Sequence, residues 1–167
     1  QEKLQQIITN HHLLTATDFD VCILNTTYRS FGYKRDIHIW ISPDDYQDSN
    51  LEILLGYILL GHKNWKNATI KIFSIYAEGT IENQKERLLE LIQVGRLPIS
   101  PSNINLIERS ETHDIKSIIN EQSAIADFTL IGFDEKVLEK EGTSYFEGYN
   151  KLGNILFVNS MNKKEIK

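Results

Sequence analysis

Asp44 and Asp45 follow an apolar run that stops at Ser42-Pro43, and paired carboxylates at a strand end are what a receiver-type phospho-acceptor or Mg²⁺ site requires. Such a site also needs a further Asp and a Lys at the ends of other strands. Asp134 meets the first need, and no matching Lys follows the last strand, so the pair is expected to be a solvated turn. Gly132 and Gly142-Thr143 match half of a glycine pattern that lets backbone N–H groups approach phosphates. Thr129 stands where the earlier glycine belongs, and the intervening FDEKVLEKE is net negative and repels a triphosphate. No bound nucleotide or other cofactor is expected.

No catalytic constellation emerges from the remaining reactive side chains. The chain has no G-x-S-x-G, H-E-x-x-H or C-x-x-C, so neither a catalytic nor a metal-ligating residue is assigned. His38 falls on a strand, His62 on a helix and His113 beside Asp114 at a helix start; each reads as a packing or surface histidine. His11 and His12 are adjacent and cannot share one helix face. The single Cys22 lies in an apolar strand with no neighbouring base and is expected to be a small buried core residue. Trp40 and Trp65 read as core or interface anchors.

The elements that would carry these residues alternate between strand and helix. Ile37, Ile39 and Ile41 alternate with His38 and Trp40, giving a strand. After Asp48-Ser49, read as N-cap residues, Leu51, Leu54, Leu55, Ile58, Leu59 and His62 recur at helical spacing to about Trp65-Lys66-Asn67. Leu54 and Leu59 are expected to face the sheet. Ile70, Ile72 and Ile75 then form a strand, with Phe73 on its other side. A helical crossover between two neighbouring strands predicts a parallel, right-handed unit.

Upstream, Lys3 to about Thr15 is an amphipathic helix whose stripe of Leu4, Ile7, Ile8 and His11 needs a partner. Phe19 to Leu24 reads as a strand. Only about ten residues separate it from the strand at Arg35, too few for a helical crossover, so hairpin-like antiparallel pairing is expected, with Gly32 at the turn.

Downstream, Thr80 to Val94 reads as a helix with Ile81, Leu88, Leu91 and Ile92 inward and Gly95 as its cap, followed by a connector at Pro98 and Pro101. A strand over Asn103 to Glu108, a helix over Thr112 to Ser123, a buried central strand over Ala126 to Phe133, a helix over Tyr145 to Leu152 and a last strand over Asn154 to Asn159 complete the order. The tail MNKKEIK is polar and expected to fray. This alternation predicts an α/β three-layer sandwich with a mostly parallel sheet.

With 167 residues, 41% of them hydrophobic, the chain can bury a core without disulfides or metal. Its longest dense apolar run, Leu51 to Leu60, is about half of the roughly 20 residues that span a bilayer, so no direct membrane insertion is expected. A net charge of −5 with interspersed signs argues against nucleic acid or anionic membranes as partners. With no Met and no signal segment at the start, the chain reads as a fragment of something longer.

The run RDIHIWI, the DD that follows, the helix ending LLGHKNW and the strand KNATIKIFSI together resemble the cytoplasmic domain of the cation-chloride cotransporters and related amino acid permeases. The likeness extends weakly through FDVCILN upstream and ADFTLIGF and LGNILFVNS downstream. Tyr46-Gln47 depart from it, standing where the family often has a glycine pair.

The resemblance implies a universal stress protein-like fold for residues 17–160, with helix 1–16 closing a preceding half-domain and 161–167 a polar tail. It further implies a non-enzymatic regulatory and dimerisation domain of a Na-K-Cl type symporter, at the cytoplasmic face of the cell membrane. The partners would be its own transmembrane transport domain and a second copy, with Leu4, Ile7, Ile8 and His11 as the candidate interface. A stand-alone universal stress-type ligand or nucleotide sensor is the rival, and a degenerate α/β enzyme a third reading.

Overall fold

Strand β2, Asp36–Ile41, is apolar on both sides because both sides are covered. Ile37, Ile39 and Ile41 are buried against one helical layer, and Trp40 and His38 against the other. The computed structural model describes residues 2–41, 46–77, 85–86, 88–90, 99–110, 113–133 and 135–160. Around β2 lies a six-stranded sheet in the order β1-β6-β5-β2-β3-β4. Its other strands are β1 (Val21–Asn25), β3 (Thr69–Ala77), β4 (Ile104–Arg109), β5 (Phe128–Gly132) and β6 (Asn154–Asn159). All neighbouring pairs are parallel except β1 with β6.

Helix α2 (Tyr46–Leu60) covers one face, over a core that includes Ile39, Ile53, Ile72 and Leu130. Leu88, in a helical stretch at 88–90, joins the same core fully buried. Helices α1 (Glu2–Thr15), α3 (Ile115–Gln122) and α4 (Glu135–Glu141) supply Ile8, Ile119 and Leu138 to the core on the opposite face. This is the predicted three-layer α/β sandwich. None of the helices described is long and apolar enough to cross a membrane.

Several local expectations are corrected. β1 runs antiparallel to the parallel strands but pairs with β6 at the sheet edge, not with β2. Three strand spacings amount to roughly 14 Å, and about ten residues can reach twice that; a short connection therefore fixes direction without requiring adjacency. The connection is held along its path, Thr27 N donating to Asn154 Oδ1 (2.8 Å) and Arg29 to the Lys151 carbonyl (2.7 Å).

In α2 the helical phase differs from expectation. Leu51 is buried as expected, together with Ser49, Asn50, Glu52, Ile53 and Gly56, and Leu55 packs against the core, while Leu54 and Ile58 are 38% and 61% exposed. Leu59 is half-buried against the core. A Cβ on Gly56 would lie 3.1 Å from Ile39 Cδ1, so a small residue there brings the helix close to the sheet. Asp48 and Ser49 lie within the helix rather than capping it.

On β3, Ile75 shares Phe73's side rather than that of Ile70 and Ile72, as the period of two demands. Cys22 is exposed, since one face of an edge strand is open. The helix expected over Tyr145–Leu152 is instead a 3-10 turn, Gly142–Phe146, and an irregular segment through Leu152. Its apolar spacing imitates a helix, but Gly148 at φ 91° breaks one, and Asn120 holds the loop by donating to the Gly148 carbonyl and accepting from Lys151 N. The actual helix, α4, precedes it in the charged EKVLEKE. Ile81, Leu91, Ile92, Gly95, Pro98 and the tail lie outside the described residues.

Candidate functional site

β2 leaves through α2 to β3 on one side, whereas its neighbour β5 leaves through α4 to β6 on the other. Neighbouring strands whose connections leave in opposite directions open a crevice at their carboxyl ends, where α/β sheets place ligands. A cavity of about 470 Å³ lies there, within the usual size of small-molecule sites. Trp40, Ile75 and Ile131 from strands β2, β3 and β5 line it, with Ile119 from α3, Val137 from α4 and Glu52 from α2.

Its walls are fixed by hydrogen bonds and stacking. The Trp40 ring stacks on Phe73 (4.8 Å between centroids, 19°), and its Nε1 donates to Ser123 Oγ at 2.9 Å. That hydroxyl also bonds His38 Nδ1 at 2.9 Å. Tyr145 donates from its hydroxyl to the Gly132 carbonyl at 2.7 Å. Lys116 Nζ donates to the Ser144 carbonyl (2.6 Å), lies 3.7 Å from Glu141 Oε2, and sits 5.7 and 5.6 Å from the ring centroids of Tyr145 and Tyr149. Burial, then Glu141 and Asp114, hold the Tyr149 phenol protonated well above its ordinary range.

The cavity's charges disfavour anions. Asp114 caps α3, accepting from Ser117 N at 3.0 Å, so a carboxylate already occupies the helix end that faces the cavity. Glu52, Asp114 and Glu141 stand against Arg109 and Lys116. Among the described lining residues Gly132 is the one glycine, and Gly142 is separated from it by α4, so the described glycines form no phosphate cradle.

The other singled-out residues that are described lie outside the cavity lining. Asp44, Asp45 and Asp134 are outside the described residues. His38 is buried, its pKa lowered to about 4 by burial and then by Lys71, so it is neutral at pH 7 and does not line the cavity. His62 and His113 are exposed, and Trp65 packs in the α2-side core. Among the described residues no group of His, Cys, Asp and Glu is placed to hold a metal ion.

The α1 stripe, read as needing a partner, packs in part on the chain itself. Ile8 and His11 are 8% and 1% exposed, with His11 Nε2 3.3 Å from Asn159 Oδ1 and its ring 5.3 Å from that of Phe133. Leu4 and Ile7 are half-buried and border a second cavity of about 790 Å³ beside β1. Sequence reasoning missed Lys116, Ser123 and Glu52 as site or support residues. Tyr145 and Tyr149 stand at helical spacing, but a 3-10 turn and a loop, not a helix, present them to the cavity.

No family model matches the chain, and no curated protein does. Among solved structures it is similar to the cytoplasmic domain of a prokaryotic cation chloride cotransporter, with a TM-score of 0.59 and 17% identity over 99% of this chain and 60% of that one. It is also similar to a protein of unknown function from Pseudomonas aeruginosa (TM-score 0.58, 17% identity, 92% of this chain and 56% of that one). A candidate universal stress protein from the same species gives a TM-score of 0.55 at 16% identity, over 91% of this chain and 56% of that one. The chain thus spans less than two thirds of each of these structures, and what it shares with them is the fold: a mostly parallel, six-stranded α/β sheet of universal stress protein-like form.

Proposed function

We propose that this chain is a non-enzymatic regulatory domain of a membrane cotransporter of the cation-chloride type, working at the cytoplasmic face and coupling to a transmembrane transport domain. The observation that carries this reading is the likeness to a cotransporter cytoplasmic domain over 99% of the chain. His38, neutral and outside the cavity lining, is not placed to act there as an acid or base, which supports a non-catalytic role. The test is the reading frame that encodes the chain. About ten to twelve long apolar segments preceding it are expected, each about 20 residues; a frame with none overturns the reading.

Self-association belongs to the same proposal. With Ile8 and His11 buried at home, exposed apolar side chains such as Leu24, Leu54 and Ile58 are the contacts a second copy would use. Sedimentation equilibrium at tens of micromolar is expected to give a dimer; a single species at 19.3 kDa overturns dimerisation by this chain alone.

The switch-point cavity favours a second reading, a ligand sensor of universal stress type. Saturable binding of a small molecule there supports it, and it is compatible with a place in a larger transporter.

A further inference from the structure

We propose that the switch-point cavity binds a small organic amine carrying an apolar ring, rather than a nucleotide or another anion. The proposal rests on the sensor reading, that the cavity receives a ligand, and adds its chemical class. Three independent features of the lining lead to it.

The first is the apolar body of the cavity. Ile75, Ile115 and Val137, half-buried or exposed, offer apolar surface for a ring, the closely packed Trp40, Ile119 and Ile131 back it, and the volume of about 470 Å³ accommodates one. The second is the treatment of charge. Among the described lining residues Glu52, Asp114 and Glu141 face Arg109 and Lys116, and Lys116 already sits against Glu141 and the Ser144 carbonyl. The helix end that would otherwise attract an anion is capped by Asp114, so a phosphate or carboxylate would meet like charge where anion sites usually find N–H groups.

The third feature shows how the site treats a cation. The Lys116 ammonium lies over both Tyr145 and Tyr149, so the aromatic wall already stabilises one ammonium through its ring faces. Two cations on the same rings would repel, so a ligand ammonium would take the place of the Lys116 ammonium over Tyr145 and Tyr149 and beside Glu141, while its ring contacts the apolar side.

The test uses probes that share one ring and differ in charge, titrated calorimetrically into the unmodified chain: tryptamine, the uncharged indole-3-ethanol and the anionic indole-3-acetate. Tryptamine is expected to bind at least tenfold more tightly than indole-3-acetate, with indole-3-ethanol between them. Equal or tighter binding of the acetate overturns the amine assignment while leaving the sensor reading in place. Absence of binding by all three at millimolar concentration overturns both.

Location is tested by Val137→Trp, which fills the cavity from α4; it is expected to abolish tryptamine binding, and undiminished binding overturns the assignment to this cavity. Should that variant fail to fold, amide shifts in the labelled unmodified protein give the location: perturbation at Ile119, Ile131 and Gly132 supports the site, and perturbation confined elsewhere overturns it.

Discussion

The Asp127 carboxylate and Gly32 are in such close contact that a Cβ on the glycine would overlap Oδ1. The carboxylate accepts from three backbone N–H groups in the same turn: Tyr33 at 2.9 Å to Oδ1, and Arg35 and Asp36 at 2.7 and 3.0 Å to Oδ2. Gly32 stands at φ 49°, a left-handed conformation. One side chain thus ties the β1–β2 connection to the start of β5.

Gly32→Ala combines a left-handed alanine, about 1–2 kcal/mol, with displacement of the carboxylate. Asp127→Ala leaves three N–H groups without their acceptor; a bond to a charged group contributes about 1.5–3 kcal/mol net, and less at the exposed Tyr33 and Arg35 amides, which water can reach. Both variants are expected to lose about 2–4 kcal/mol in urea unfolding. An unchanged midpoint for Asp127→Ala would mean that water substitutes fully for the carboxylate.

On α2, the expected effects follow burial rather than hydrophobicity. Ile53 is fully buried, and Ile53→Ala is expected to cost roughly 2–5 kcal/mol. Leu54 is 38% exposed, and Leu54→Ala should stay below about 1 kcal/mol. The pair of urea midpoints checks the helix phase, and a larger loss at Leu54 than at Ile53 reverses it.

α2 also shows how far the sequence could be read. Its presence and crossover role were legible because Leu51 to Leu60 is apolar at helical spacing, flanked by two isoleucine-rich strands. Its phase was not, because Ser49, Glu52 and Gly56 share the buried face with Leu51 and Ile53 while Leu54 and Ile58 are exposed, so polar and apolar residues do not separate into the usual stripe. The edge position of β1 was hidden for a different reason: pairing with β6 is a contact between chain ends, and nothing local records it. The cavity depends on similar long-range placement. Ser123 meets Trp40 and His38, and Lys116 meets Tyr145 and Tyr149, at separations that no motif spans.

His38 gives the chain a pH dependence whose direction is fixed by its lowered pKa. In the unfolded chain the imidazole takes up a proton as pH falls through about 6.5; in the folded protein, where burial disfavours the cation, it does so only near 4. The contribution is therefore fully present above pH 6.5 and is lost as pH falls toward 4, about 3 kcal/mol across that window. His38→Gln removes the titration. The stability difference between the two proteins should shift in the variant's favour on going from pH 7 to pH 4.5, and a difference independent of pH would show that His38 does not titrate differently on folding.

Nucleotide binding is expected to fail at the same cavity that an amine enters. A ligand at a hundred times its dissociation constant adds about 2.7 kcal/mol to stability, so millimolar Mg-ATP would raise the melting temperature by several degrees if its dissociation constant were about ten micromolar. The site offers a triphosphate little: Asp114 occupies the α3 N-terminus, Tyr145 holds the Gly132 carbonyl, and α4 separates Gly132 from Gly142. Arg109 and Lys116 are the cations of the described lining, and Glu141 lies 3.7 Å from the second. Melting curves with and without millimolar Mg-ATP should therefore superimpose. A rise of several degrees that disappears in Lys116→Gln would overturn the expectation and make the Lys116 ammonium, released from Glu141, a phosphate ligand.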